Sequence, residues 1–196
     1  TDAGVHSTNQ SAHFDCKKKI SDKYKFISSV NHFLNKKNNS IKKINKKNIN
    51  FHSRFSAKER EYQYIILNRN ASPVLDKNKV WHLRSKLDLQ ILKKASKKLI
   101  GTHNFNAFRS SNCQASSPIR TLKSIKITKK NDKIFFVLRS RSFLKNQVRS
   151  IIGCLKCVGE KKWTIKDLQK VLKSKNRKKC APPAPADGLY LSKVIY

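Results

Sequence analysis

Apolar positions along this chain recur with two different periods, and the changes between them mark out its elements. Loose alternation over residues 4–15 predicts a strand leaving a turn at Asp2. Tyr24, Ile27, Val30, Phe33 and Leu34 fall at helical spacing, with Ser21 placed to cap the helix. Residues 35–50 are rich in Lys and Asn, interrupted by Ile41, Ile44 and Ile49, which predicts a weakly structured connection followed by a short strand. Residues 60–68 alternate through Tyr62, Tyr64 and Ile66, a strand with aromatics on one face. Asn70-Ala71-Ser72-Pro73 ends it.

A second set of elements starts near Lys79. Residues 87–100 are amphipathic through Leu89, Leu92, Ala95 and Leu99, with Gly101 as the C-terminal stop. Residues 122–130 and 134–142 read as strands joined by an Asn131-Asp132 hairpin turn. Residues 143–158 carry apolar side chains at helical spacing, and residues 163–174 open with Thr164 and Asp167, a capping box. Residues 189–196 close the chain as an apolar strand. The order predicts an α+β protein of two similar halves, 1–75 and 76–196.

Charge narrows the partners. Lys and Arg number 45 against 11 Asp and Glu, a formal net charge of +34. Such a field recruits polyanions, and nucleic acid is the commonest. Lys, Asn and Ile are all abundant, as A+T-rich coding sequence produces, so part of the lysine excess has a compositional source. The lysines are scattered over every segment rather than gathered on one amphipathic face, which argues against a membrane surface. No run of 18 apolar residues is present, which excludes a transmembrane helix. Five cysteines without framework spacing suit a reducing compartment. Cys154 and Cys157 lie inside an apolar-periodic segment, which favours two small buried helix residues over a zinc or redox pair. The sequence contains no Met, which points to a fragment or a processed product.

Few acids stand in so basic a chain, so each invites a reason. Asp2 sits beside Gly4, whose free backbone lets a substrate approach closely; it reads as a reactive carboxylate or as a turn residue capping its own backbone. Tyr62 and Tyr64 read as core aromatics or as a stacking platform for bases. Arg149 interrupts an apolar helix face and calls for a carboxylate partner. His103 reads as a base or as a loop residue packed on Phe105 and Phe108.

The segment Thr1-Asp2-Ala3-Gly4-Val5-His6 resembles the catalytic loop of the TruA family of tRNA pseudouridine synthases. Four further segments are similar to that family in the same order: Phe51-His52-Ser53-Arg54-Phe55-Ser56-Ala57 with Arg60-Glu61-Tyr62-Gln63-Tyr64; Gly101 through Phe108; Phe143 through Gly153; and Ala184 through Leu191. The resemblance implies the pseudouridine synthase fold, two α/β halves sharing a mixed, mainly antiparallel sheet flanked by helices. It implies an isomerase that converts uridine to pseudouridine at tRNA positions 38, 39 and 40 in the anticodon stem-loop, in the cytoplasm, as a homodimer, without cofactor or metal. Asp2 is then the catalytic nucleophile and Arg149 its partner; Tyr62 stacks on the target uracil, and Leu189 lines the same site. An arginine held against a carboxylate keeps it ionised, as a nucleophile requires. Two departures stand out. The family's arginine before Thr1 and an earlier strand and helix are absent, and Lys145-Asn146 replaces an aromatic or His pair. A non-catalytic RNA-binding remnant of such an enzyme is the alternative.

Overall fold

The computed structural model describes residues 1–196. It divides into two compact units, one made of Thr1–Gln10 and Ala57–Tyr196, the other of Ser11–Ser56.

The larger unit is built on one seven-stranded mixed sheet. Its strands are β1 (His6–Ser7), β2 (Glu59–Asn68), β3 (Trp81–Leu83), β4 (Gly101–Asn104), β5 (Ile119–Lys130), β6 (Lys133–Ser140) and β7 (Leu189–Ile195). The spatial order is β1-β7-β2-β6-β5-β4, with β3 pairing the far end of β2. Pairing is antiparallel except for β1 on β7 and β3 on β2, which are parallel. The mixed, mainly antiparallel sheet expected from the sequence is therefore present, with β2 paired to both β6 and β7.

Period-2 alternation places Tyr64 and Ile66 of β2, Phe136 and Leu138 of β6, and Ile125 and Ile127 of β5 in one core. Three helices of this unit contribute to that core: α2 (Leu89–Lys97), α3 (Gln147–Gly159) and α4 (Ile165–Ser174). Leu92, Leu99, Ile151, Ile152 and Leu155 are fully buried there, each such side chain contributing about 1.5–3 kcal/mol. The Thr164–Asp167 capping box forms as the sequence indicates. The Asn131 turn carries a left-handed residue, φ 52°, between β5 and β6.

Several boundaries differ from expectation. The strand predicted over 4–15 is paired only at His6–Ser7, and from Ser11 onward the chain belongs to the smaller unit. The helix predicted from Phe143 starts at Gln147, because Asn146 adopts a left-handed conformation, φ 63°, that a helix cannot contain. Gly101 is not the residue that ends α2, which stops at Lys97; it opens β4 instead with φ 109°. His103 lies in β4 rather than in a loop, its ring edge-on to Phe105 at 5.8 Å. Neither β3 nor β4 was signalled, being too short to show a period.

The smaller unit has one α-helix, α1 (Lys23–Leu34), capped by Asp22 rather than Ser21: the Asp22 carboxylate accepts from the Lys25 amide at 2.9 Å. No strand follows before Glu59. Asn31 ties α1 to Ile41, donating to its carbonyl and accepting from its amide. His52 organises a turn, its Nδ1 accepting from the Arg54 and Phe55 amides at 3.1 and 3.3 Å. None of the unit's residues is buried.

Candidate active site

The first residues of the chain form a tight turn held by a hydrogen bond from the Val5 amide to the Asp2 carbonyl, 3.1 Å. Gly4 carries φ 77°, where a side chain would be strained. It also faces the turn that precedes β7: a Cβ at Gly4 would lie 3.2 Å from Ala186 Cβ and 3.8 Å from Asp187 Oδ1. Beyond the turn, His6 pairs with Tyr190 in β7 and stacks on its ring at 4.7 Å. The Thr8 amide adds a bond to the Leu191 carbonyl, 3.1 Å. The Asp2 turn is thus seated at the start of β7.

Tyr62 lies opposite Leu191 of β7 across a bulge. Glu61 pairs with Lys193 and Tyr62 with Leu191, so Ser192 has no partner in the ladder. Its hydroxyl donates instead to the Glu61 carbonyl at 3.0 Å. Bulges of this kind turn a strand and re-aim the next side chain. The Tyr62 ring is half-buried and meets Phe143 edge-on at 5.2 Å. Burial pushes the Tyr62 phenol up; Arg60 pulls it back, and the Asp2 carboxylate adds to the rise. In the sheet, β7 lies between β1, which follows the Asp2 turn, and β2, which carries Tyr62.

Arg149 sits in the first turn of α3 and bonds to the segment that leads into β7. Its Nε donates to the Ala184 carbonyl at 2.6 Å, and its NH1 to Asn146 Oδ1 at 3.2 Å. The Ala184 amide returns a bond to the Arg149 carbonyl, 3.0 Å. Neither Asp2 nor Arg149 takes part in a cation–carboxylate contact within 4.0 Å. The guanidinium is satisfied here by a carbonyl and an amide. Other acids are paired: Glu59 with Lys123, Glu61 with Arg139, Asp76 with Lys133 and Glu160 with Lys156 and Lys162.

Leu189, the first residue of β7, is buried and stands opposite Tyr64. Asp2, Tyr62 and Leu189 therefore converge around the start of β7, with Arg149 bound to the segment leading into it. Sequence reasoning did not single out Phe143, Asn146 or Asp187 as neighbours of this site. The left-handed Asn146 had a signal, Asn being tolerant of that conformation, but nothing in the periodicity marked the other two.

A mixed sheet thus seats an aspartate turn beside a strand-borne tyrosine in a chain of net charge +34, a field that attracts polyanions such as nucleic acid. Residues 95–196 match the family model described as tRNA pseudouridine synthase. The chain is 53% identical over 196 residues, all of its own length and 80% of the relative's, to tRNA pseudouridine synthase A of Pelagibacter ubique (strain HTCC1062). It is 43% identical to the protein of that name from Bartonella tribocorum (strain CIP 105476 / IBS 506), covering 80% of it. The corresponding figures for Caulobacter vibrioides (strain NA1000 / CB15N) are 42% and 79%. This chain belongs to the tRNA pseudouridine synthase family, a family of isomerases.

Proposed function

We propose that this enzyme converts uridine to pseudouridine in the anticodon stem-loop of tRNA, at positions 38, 39 and 40, with Asp2 as the catalytic carboxylate. The observation that carries the reading is the seating of the Asp2 turn against the start of β7, the strand that also pairs with Tyr62 of β2. Uridine's N1–C1′ bond breaks, the detached uracil turns, and C5 joins C1′; the C5 proton is lost and N1 gains one, so the atoms balance. The target nucleotide leaves the stack at a cost of roughly a few kcal/mol, which a loop junction lowers. Tyr62 stacks on the uracil, Leu189 lines its pocket, and Arg149 neutralises the carboxylate once the nucleotide is bound. The enzyme works in the cytoplasm as a homodimer, as the resemblance of its motifs implies.

One observation favours a second reading. No ion pair joins Asp2 to Arg149, which leaves the second reading, a non-catalytic RNA-binding remnant of such an enzyme. An unmodified tRNA transcript incubated with the complete gene product, then mapped by carbodiimide-stop primer extension, separates the two. Stops at the anticodon stem-loop, lost in Asp2→Asn, support the enzyme; no product from the intact protein refutes it. Product that survives Asp2→Asn moves the catalytic role elsewhere. Sedimentation of the same preparation tests the dimer.

A further inference from the structure

We infer that Tyr64 is a positioning residue for the reaction: its phenol fixes the turn at residues 184–188 on which the Asp2 turn rests. The inference rests on the reading of Asp2 as the catalytic carboxylate and adds a residue to which the family resemblance gives no role.

Tyr64 is fully buried, yet its hydroxyl reaches the Pro185 carbonyl at 2.8 Å. The preceding carbonyl, Ala184, is taken by Arg149 Nε at 2.6 Å. Two successive carbonyls of one segment are thus held by a phenol from β2 and a guanidinium from α3. The far end of the segment is pinned by shape. A Cβ on Gly188 would lie 2.7 Å from Tyr64 Cζ and 2.8 Å from the Ile65 carbonyl, so the backbone there lies directly on the Tyr64 ring. Between these anchors, Ala186 and Asp187 face Gly4.

The residues after the Asp2 turn are held to β7 by His6, Ser7 and Thr8, whereas the turn itself meets Ala186 and Asp187 through Gly4. β1 has only two residues, a length that stabilises little by itself. The Asp2 turn takes its height from Ala186, and Ala186 takes its height from Tyr64 and Arg149. Burial raises the phenol strongly, with Arg149 and Asp187 acting in opposite directions on it, so the hydroxyl stays a proton donor across the working range.

The test uses the complete gene product and unmodified tRNA. Tyr64→Phe removes the bond to Pro185 and keeps the ring; Ala186→Gly removes the methyl beneath Gly4 and leaves the core untouched. Both variants should lower the single-turnover rate by about tenfold to a hundredfold, the scale of a small misplacement of a reacting group. Affinity for tRNA should stay within about twofold. Wild-type rates in both variants, measured well below their melting temperatures, overturn the inference, as does an equal loss of rate and affinity. If Tyr64→Phe does not fold, Ala186→Gly alone decides. Asp2→Asn is measured in parallel: full activity there refutes the catalytic reading itself, whereas an inactive Asp2→Asn beside fully active Tyr64→Phe and Ala186→Gly refutes only the positioning role.

Discussion

Tyr62 and Tyr64 stand two positions apart on β2, one half-buried and the other wholly so, and the proposed roles follow that difference. Replacing Tyr62 by Ala removes the ring that would stack on a base, worth about 1–3 kcal/mol per base. Turnover should fall far more than tRNA affinity, while Tyr62→Phe keeps the ring and its edge contact with Phe143 and should be milder. Single-turnover kinetics with filter binding distinguishes this from a purely structural role, in which both quantities fall together. Among the cysteines, Cys154 and Cys180 lie with sulfurs 3.4 Å apart. That contact holds the Cys180 thiol down, aided by Arg177, and pushes the buried Cys154 thiol up. A lower thiol value means more thiolate at a given pH, so iodoacetamide at about pH 7 should modify Cys180 well before Cys154. Peptide mass mapping reads the order directly. At this scale the sequence showed that Arg149 was out of place on an apolar face but not what it meets. A carboxylate was the expected neighbour; a carbonyl delivered by a segment 35 positions away cannot be read from residue types.

Elements here are positioned by their closest approaches. Gly153 on α3 has no room for a methyl group, since a Cβ would stand 2.1 Å from the Pro182 carbonyl. Gly153→Ala must therefore move the helix or the 182–184 segment and should cost about 1–3 kcal/mol, as overpacking does; a urea titration measures it. The C-terminal end of α3 carries a second anchor. Glu160 accepts from Ser85 at 2.5 Å and pairs with Lys156 and Lys162 at 2.9 and 3.1 Å. Burial pushes its carboxyl up, but those partners outweigh burial and hold it below the usual range. Its contribution is therefore present above the unfolded carboxyl value of about 4.3 and is lost as pH falls through the folded one. Glu160→Gln should destabilise by about 1–3 kcal/mol near neutrality, with the difference shrinking on acidification below about pH 4.3. Long elements with a clear period were legible in advance: β2, β5, β6, β7 and the capped α4. The short strands β3 and β4 gain their order from neighbours in the sheet, and the late start of α3 comes from one left-handed Asn, so periodicity alone could not place them.

Over the whole molecule, the charge of +34 is the feature that composition gives most directly and function least directly. If it serves tRNA binding, the logarithm of affinity should fall linearly and steeply with the logarithm of salt, each phosphate neutralised adding about 0.7–0.9 to the slope. A flat dependence assigns the lysines to base composition. The overall sheet was legible as a class, but its strand order was not, because the pairing that seats the candidate site joins distant parts of the chain. Ser7 is bonded to the Leu191 carbonyl across 184 positions. During synthesis at about 5–20 residues per second, the Asp2 turn leaves the ribosome tens of seconds before β7 follows. Over that interval the neighbouring strands β2, β6, β5 and β4 have already been made, while the carboxylate turn has nothing to rest on. Assembly of the candidate site thus waits on the synthesis of β7, and a nascent chain gathers much of its basic surface before the Asp2 turn finds its seat.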